Sequence, residues 1–370
     1  MGIAERVLAS DVTDYIRFRA VCPAGGHTKL RGLVRFFKLR TGAFAAVCLP
    51  LFRDHFALDS VDGLLLLPRD DDMAVRLLHP FTGEIVELPS LATLMPQLKA
   101  LFNPFDIAQI KEKGFLCYLR KVCAAVSYSP DGVVTAMLAF NDMLPRVAFA
   151  TSEDRQWTLS SWEAQRPRTG ILALKGKLYF LTTRLQFFVV DPPQHVGKKC
   201  SPPSSSSLPP PKMIAVCPLD KIRAPLFLAE CDSEVLLVGR TDESMMHVII
   251  YKLADIILGR FIPLKSIGGN SLFTWKRSIC VSSDAHPTFS RDTVVCLHPS
   301  FKYLGQYHLR SRSWSTATDG HFLRGPIPSP YTLIHHIYTC CDRHYWNKGQ
   351  MYCPAVNPKW GVKAKWRIGG

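Results

Sequence analysis

Residues 62–91, DGLLLLPRDDDMAVRLLHPFTGEIVELPSL, decide how this chain folds. Gly63–Leu67, Ala74–Leu78 and Glu84–Leu88 are short apolar or alternating runs, of strand rather than helix length. Between them stand Asp70-Asp71-Asp72, a polar turn, and His79-Pro80-Phe81-Thr82-Gly83, where proline fixes φ and glycine admits positive φ. Three strands and two tight turns within 62–91 predict an antiparallel meander.

The same unit recurs along the chain. A second set reads Val122–Ser127, Val133–Phe140, Arg146–Thr151 and Gln156–Ser160, and a third Gly170–Leu174, Lys177–Leu181, Gln186–Val190 and Met213–Cys217. A fourth reads Leu226–Cys231, Val235–Arg240, His247–Lys252 and Arg260–Ile267; a fifth reads Arg277–Ser282, Thr293–Leu297, Gly305–Leu309 and Trp314. With the longest loops discounted, the sets repeat every ~40 to 50 residues, the length of a propeller blade. The expected fold is therefore all-β, a β-propeller of four-stranded antiparallel blades. A last strand at Thr332–Cys340 is expected, with Leu333–Tyr338 completing the blade begun by residues 33–67. A two-sheet sandwich is the rival architecture, disfavoured because one sandwich seldom holds so many strands. Two segments break the pattern. Residues 91–113 predict a loop with short helical turns, and the Pro/Ser tract 192–211 predicts a disordered loop that buries no apolar surface.

Hydrophobic residues make up 47% of the chain and charged residues 20%, a globular composition. The net charge of +15 is spread thinly, without basic runs interleaved with aromatics, so a solvated basic surface is expected rather than a nucleic-acid groove. Twelve cysteines are scattered in apolar stretches rather than spaced as a disulfide framework. No secretory signal, glycosylation acceptor or membrane-length apolar run is present, which predicts a location in the cytoplasm, the nucleus or both and no membrane partner.

No nucleophile elbow, zinc-protease helix, Walker phosphate loop or dinucleotide fingerprint occurs, so no catalytic residue and no cofactor are expected. Asp70–Asp72 lacks the alternating ligands of a calcium loop. The one candidate metal cluster lies in HHIYTCCDRHYWNKGQMYC, where Cys340, Cys341, His344 and Cys353 offer soft ligands and Cys341-x-x-His344 has a zinc-like gap. The competing reading makes Leu333–Cys340 an inner strand and leaves Cys353 on a tail.

At the N-terminus, SDVTDYIRFRAVC at Ser10–Cys22 has capping residues Ser10 and Asp11 and helical spacing at Val12, Ile16, Arg19 and Ala20. Ile3-Ala4-Glu5-Arg6-Val7-Leu8, Asp11 and Phe18-Arg19-Ala20-Val21-Cys22 resemble the later half of an F-box, a truncated form of that helical module. Gly63–Leu67, the His79-Pro80-Phe81-Thr82-Gly83-Glu84 turn, Leu88-Pro89 and Lys175-Gly176-Lys177-Leu178-Tyr179 add a wider likeness. Over residues 1–341 the chain is similar to plant F-box proteins with a C-terminal domain of unknown function 295, the KIB-type propellers.

That resemblance implies a partial F-box helical segment at 1–30, a propeller at 31–341 and a tail at 342–370. It also implies a substrate receptor of a Skp, cullin and F-box ubiquitin ligase, in which the propeller binds an unidentified target protein and other subunits transfer ubiquitin. Leu8, Val12, Ile16 and Val21 would then be the apolar contacts to the Skp-type adaptor. Two other readings stay open: an interaction scaffold that has lost ligase coupling, and a propeller enzyme acting on a carbohydrate or small molecule.

Overall fold

The computed structural model describes residues 33–37, 44–101, 122–140, 146–193 apart from 166, and 208–317 apart from 242, 243, 285, 287, 288 and 301–303, with residues 334, 337, 338 and 341. The described residues form two compact units, the first from Leu49 to Ile214 apart from Arg184–Gln186, and the second from Ala215 onward together with Arg184–Gln186 and the described residues before Leu49.

β1 (Leu33–Phe37) and β2 (Phe44–Cys48) pair antiparallel as a two-stranded sheet, Leu33 opposite Cys48 and Phe37 opposite Phe44. They do not join the strands that follow, as the reading of residues 33–67 as one blade had required. In the first unit β3 (Asp59–Val61), β4 (Leu64–Pro68), β5 (Val75–Leu78) and β6 (Ile85–Leu88) form a four-stranded antiparallel meander. The helix α1 (Leu94–Lys99) follows it. β7 (Val122–Tyr128), β8 (Val134–Phe140), β9 (Val147–Thr151) and β10 (Thr158–Leu159) form the second sheet. The third comprises β11 (Leu172–Leu174), β12 (Lys177–Leu181), β13 (Gln186–Val190) and β14 (Lys212–Val216). The eleven strands from β4 to β14 match the sequence reading to within a few residues; β3 was not read from the sequence.

Packing explains why β4, β8 and β9 are continuously apolar instead of alternating. Every residue of these strands is buried, and alternate residues of β8 and β9 enter apolar cores on opposite faces. One core joins Leu64, Leu66 and Leu77 to Ala124, Ala136 and Trp157; another joins Met137, Phe149 and Cys123 to Leu178, Phe180 and Leu208. Alanines on β7 to β9 permit close approach, and Trp157 fills the space they leave. Its indole N–H donates to Pro89 O at 2.7 Å, so the buried ring carries no orphan polar group. Buried Asp59 adds a polar tie, accepting from Ala124 N at 2.8 Å and so bonding the first sheet to the second.

The turn chemistry is as the sequence required. Asp72 is bound by the Arg69 guanidinium and by Ala74 N, and these bonds hold its carboxyl far below the usual range. At the next turn His79 Nδ1 accepts from Thr82 N at 3.0 Å, closing the turn as an Asn side chain would, while Gly83 takes φ +75°. Lys175 and Gly176 both adopt positive φ, which makes their segment a hairpin. The Pro/Ser tract departs from expectation at its far end: Leu208 is buried, and its carbonyl accepts from Trp162 Nε1 at 2.9 Å.

In the second unit β15 (Arg223–Cys231), β16 (Glu234–Arg240) and β17 (Val248–Lys252) form a three-stranded antiparallel sheet. The fourth strand expected at Arg260–Ile267 does not form; the helix α2 (Leu253–Ile257) and a coil stand in its place. Leu253 and Ile256 give α2 a buried face at a three-residue step, and Gly259 then stops it. The strand missed in this unit is β18 (Asn270–Thr274), which pairs antiparallel with β19 (Ser278–Ser282) and parallel with β20 (Thr293–Leu297). β21 (Leu304–His308) and β22 (Ser313–Thr316) complete a five-stranded sheet in the order β19-β18-β20-β21-β22. Its core includes Leu272, Val294 and Tyr307, packed with Leu236, Val238 and Ile250 of the three-stranded sheet.

The expected last strand at Thr332–Cys340 is a further correction. The described residues there, Ile334, Ile337 and Tyr338, are helical. With Cys341 they are buried against Phe273 and Val281. Their spacing of three, four and seven residues is that of one helix face, a period the alternating reading missed.

Candidate protein-interaction surface

Where the fourth strand is absent, the chain offers an apolar surface on a firmly held loop. α2 ends in a paired carbonyl cap: Gly259 N donates to Ile256 O at 2.9 Å and Arg260 N to Asp255 O at 2.8 Å, with Gly259 at φ +69°. Five residues downstream of Gly259, Leu264 N bonds Ile250 O of β17 at 2.9 Å. Farther on, Asp292 fixes Ser266–Gly269 by accepting from Ser266 Oγ, Ile267 N and Gly269 N at 2.7, 2.8 and 3.0 Å. Burial raises the Asp292 carboxyl, but these three bonds and Arg310 outweigh it and leave the group below its ordinary range.

Between these ties Ile257, Leu258 and Ile262 are 50, 63 and 58% exposed. Phe261 sits edge-on to Tyr251, ring centroids 6.3 Å apart. Isolated exposed apolar residues are ordinary, but three within six positions on a capped, twice-anchored loop form a patch whose ordering is already complete before binding. The apolar content of RFIPLKSI, read as a strand, hid this patch from the sequence reading. The legible signal was Leu253-x-x-Ile256 followed by Gly259.

A second feature of the same unit is the half-buried Trp314 on β22. Its Nε1 donates to Met246 O at 2.6 Å, and its ring meets Tyr307 and His298 edge-to-face at 5.2 and 4.9 Å. The Arg240 guanidinium lies 5.2 Å from the indole centroid. Arg240 is buried, its Nη2 reaches Cys296 Sγ at 3.3 Å, and Nη1 has no acceptor among the described residues, so the indole face is a principal source of compensation for this charge. Burial pushes the Cys296 thiol up, with Arg240 and Thr274 opposing the shift. Burial and then Arg240 push His298 down, keeping the imidazole neutral. Tryptophan and arginine are among the residue types enriched at the hot spots of protein interfaces.

The residues singled out from the sequence fare differently. Leu8, Val12, Ile16 and Val21 lie outside the described residues, as do Cys340, His344 and Cys353. Cys341 is fully buried in an apolar core, with its thiol 3.9 Å from Phe273 O and 3.8 Å from Ile337 O. Among the described residues no three His, Cys, Asp or Glu side chains come together as a metal site. None of the described helices is long and apolar enough to cross a membrane.

Several solved structures are similar to the chain at low identity. The β-propeller domain of Cps50 (Swd1) from Myceliophteria thermophila is 10% identical, with 81% of this chain and 96% of that one covered and a TM-score of 0.27. A luciferin-regenerating enzyme is 9% identical over 78 and 84%, TM-score 0.27; the calcium-binding protein regucalcin from Agrobacterium tumefaciens is 11% identical over 64 and 72%, TM-score 0.26. Likenesses this distant say nothing of activity. No curated protein matches the chain. The KIB1-4 β-propeller family matches across residues 36–353, which takes in all the sheets from β3 to β22. The chain belongs to the KIB1-4 β-propeller family.

Proposed function

We propose that this protein is the substrate-recognition subunit of a Skp, cullin and F-box ubiquitin ligase, working in the cytoplasm or nucleus without chemistry of its own. The propeller holds the target protein, and Ile257, Leu258 and Ile262 are its apolar anchors. The observation that carries the recognition role is this patch, presented by a capped loop where the neighbouring sheets have a strand. The ligase role is supported by the F-box-like residues Ile3–Leu8, Asp11 and Phe18–Cys22 ahead of a KIB1-4 propeller.

Co-purification of a Skp-type adaptor with the full chain and with a chain lacking residues 1–22 tests the ligase role. Recovery with the full chain alone is expected; equal recovery, or none from either, leaves the protein an uncoupled scaffold. Leu258→Asp and Ile262→Asp test the anchors. Both sites are exposed, so stability should move by no more than ~0.5 kcal/mol. Capture of the proteins enriched by the wild-type chain should fall at least ~10-fold, about 1.4 kcal/mol, with adaptor recovery unchanged. Undiminished capture would remove the loop from the binding surface.

A further inference from the structure

We infer that Cys231 and Cys280 form a reversible disulfide by exchange with a small disulfide such as oxidised glutathione. Cys231 is the last residue of β15, and Cys280 is the central residue of β19, opposite Leu272 in the register. The two Sγ atoms are 2.8 Å apart across a sequence separation of 49 residues. Non-bonded heavy atoms rest at ~3.5–4.0 Å, and a disulfide bond is ~2.05 Å long, so the sulfurs are already most of the way to bonding distance. Asp232 Oδ2 lies 3.9 Å from Cys231 Sγ, but among the described residues no group of three His, Cys, Asp or Glu side chains is arranged to hold a metal ion, which favours two-electron thiol chemistry over metal capture.

The surroundings divide the work between the two thiols. Cys280 is partly exposed and Cys231 is buried. Cys231 is also held in place: Asn270 Nδ2 donates to its sulfur at 3.4 Å, and the same amide donates to Ile267 O at 2.8 Å and Asp232 Oδ2 at 3.1 Å. Cys280 is thus the attacking thiol and Cys231 the resolving one. The Cys280 thiolate, its proton passed to solvent, attacks one sulfur of glutathione disulfide and expels a glutathione thiolate. The Cys231 thiolate then attacks Cys280 Sγ and expels the second. Two protein thiols and one glutathione disulfide become one protein disulfide and two reduced glutathiones. The bond ties β15 to β19 and closes a covalent ring around α2 and the loop carrying Leu258 and Ile262. In a reducing compartment such a bond is transient, as a sensing disulfide must be.

The full chain, purified reduced, would be treated with oxidised glutathione, quenched with N-ethylmaleimide and digested for mass spectrometry. The expected product is one linked pair of peptides holding Cys231 and Cys280, about 2 Da lighter than their sum and separated by reductant. The oxidised chain should melt ~5 °C higher than the reduced one. In Cys280→Ser, Cys231 should be recovered alkylated. The inference is overturned if both cysteines are alkylated in the oxidised wild type, if glutathione stays on Cys280 while Cys231 is alkylated, or if either cysteine links to another.

Discussion

The histidines that follow β5 and β20 are placed alike and used differently. Each is followed by proline, and the imidazole Nδ1 of each accepts a backbone N–H, from Thr82 at 3.0 Å in the first and from Ser300 at 3.2 Å in the second. A hydroxyl sits beside each Nδ1, Thr82 Oγ1 at 3.0 Å and Ser300 Oγ at 2.8 Å. Around His79 that local closure is the main polar work of the ring, which otherwise meets Phe81 edge-on at 6.2 Å. His298 has been drawn into the stack of Trp314, Arg240 and Tyr307. A His-Pro pair thus serves to close a turn between strands in one sheet and as a wall of an aromatic platform in another. The second role is set by distant partners rather than by the pair itself.

Glycine substitutions should show the largest effect and separate the two settings. Gly83 needs no space around it; a Cβ there meets nothing within 4 Å, and its requirement is φ +75° alone. At Gly305 a Cβ would lie 2.8 Å from Trp314 Cε3 and 3.2 Å from His298 Cβ, so the indole must shift and lose its bond to Met246. Gly305→Ala should therefore cost ~1–3 kcal/mol by overpacking and change tryptophan emission. Gly83→Ala should cost ~1 kcal/mol with emission unchanged. Denaturant melts that rank the two in the opposite order would undo the distinction.

Asparagine at the histidine positions probes the turns at smaller scale. Its side-chain oxygen can accept the same backbone N–H, so His79→Asn should stay within ~0.5 kcal/mol of wild type. His298→Asn keeps the turn but loses the edge-to-face contact, for an expected ~0.5–1.5 kcal/mol. A double-mutant cycle with Trp314→Leu should assign most of that loss to the ring pair. Zero coupling would mean that His298, like His79, is a turn residue and no more.

This contrast marks what the sequence could disclose. Local signals placed β4 to β14 almost residue by residue, because Asp-Gly, Lys-Gly and His-Pro turns act within a few positions and apolar runs between them had one reading as strands. Features set by distant partners were not visible. RFIPLKSI was read as a strand despite Pro263, yet Leu253, Ile256 and Gly259 upstream had already committed the chain to a capped helix. Asn270–Thr274 was passed over because its partners include β20, which is parallel and some 20 residues away. Ile334, Ile337, Tyr338 and Cys341 fit a helix face better than the strand read there, a wrong choice of period. Neither the Trp314 platform nor the Cys231–Cys280 contact has a local signature. The adaptor-facing residues Leu8, Val12, Ile16 and Val21 rest on the F-box likeness alone.

The smallest expected effect is a pH dependence shared by the two turns. Burial depresses both imidazoles below the ordinary value of 6.5; at His79 the Glu84 carboxylate opposes the shift, and at His298 Arg240 adds to it. Each Nδ1 must be unprotonated to accept its backbone N–H. As pH falls below 6.5, the unfolded chain takes up protons first, so the folded state loses ground until the folded imidazoles titrate as well. Stability should thus be full above pH 6.5 and decline between there and the lower folded values. The denaturant midpoint should be lower at pH 5 than at pH 7. His79→Asn with His298→Asn should flatten that slope, leaving the share of His308, which burial also depresses. Both imidazoles should titrate below 6.5 in a proton NMR titration, burial being the first cause at each, with Arg240 adding to it at His298. A His298 signal moving at or above pH 6.5 would mean that the ring is not buried beside the guanidinium as the stack requires.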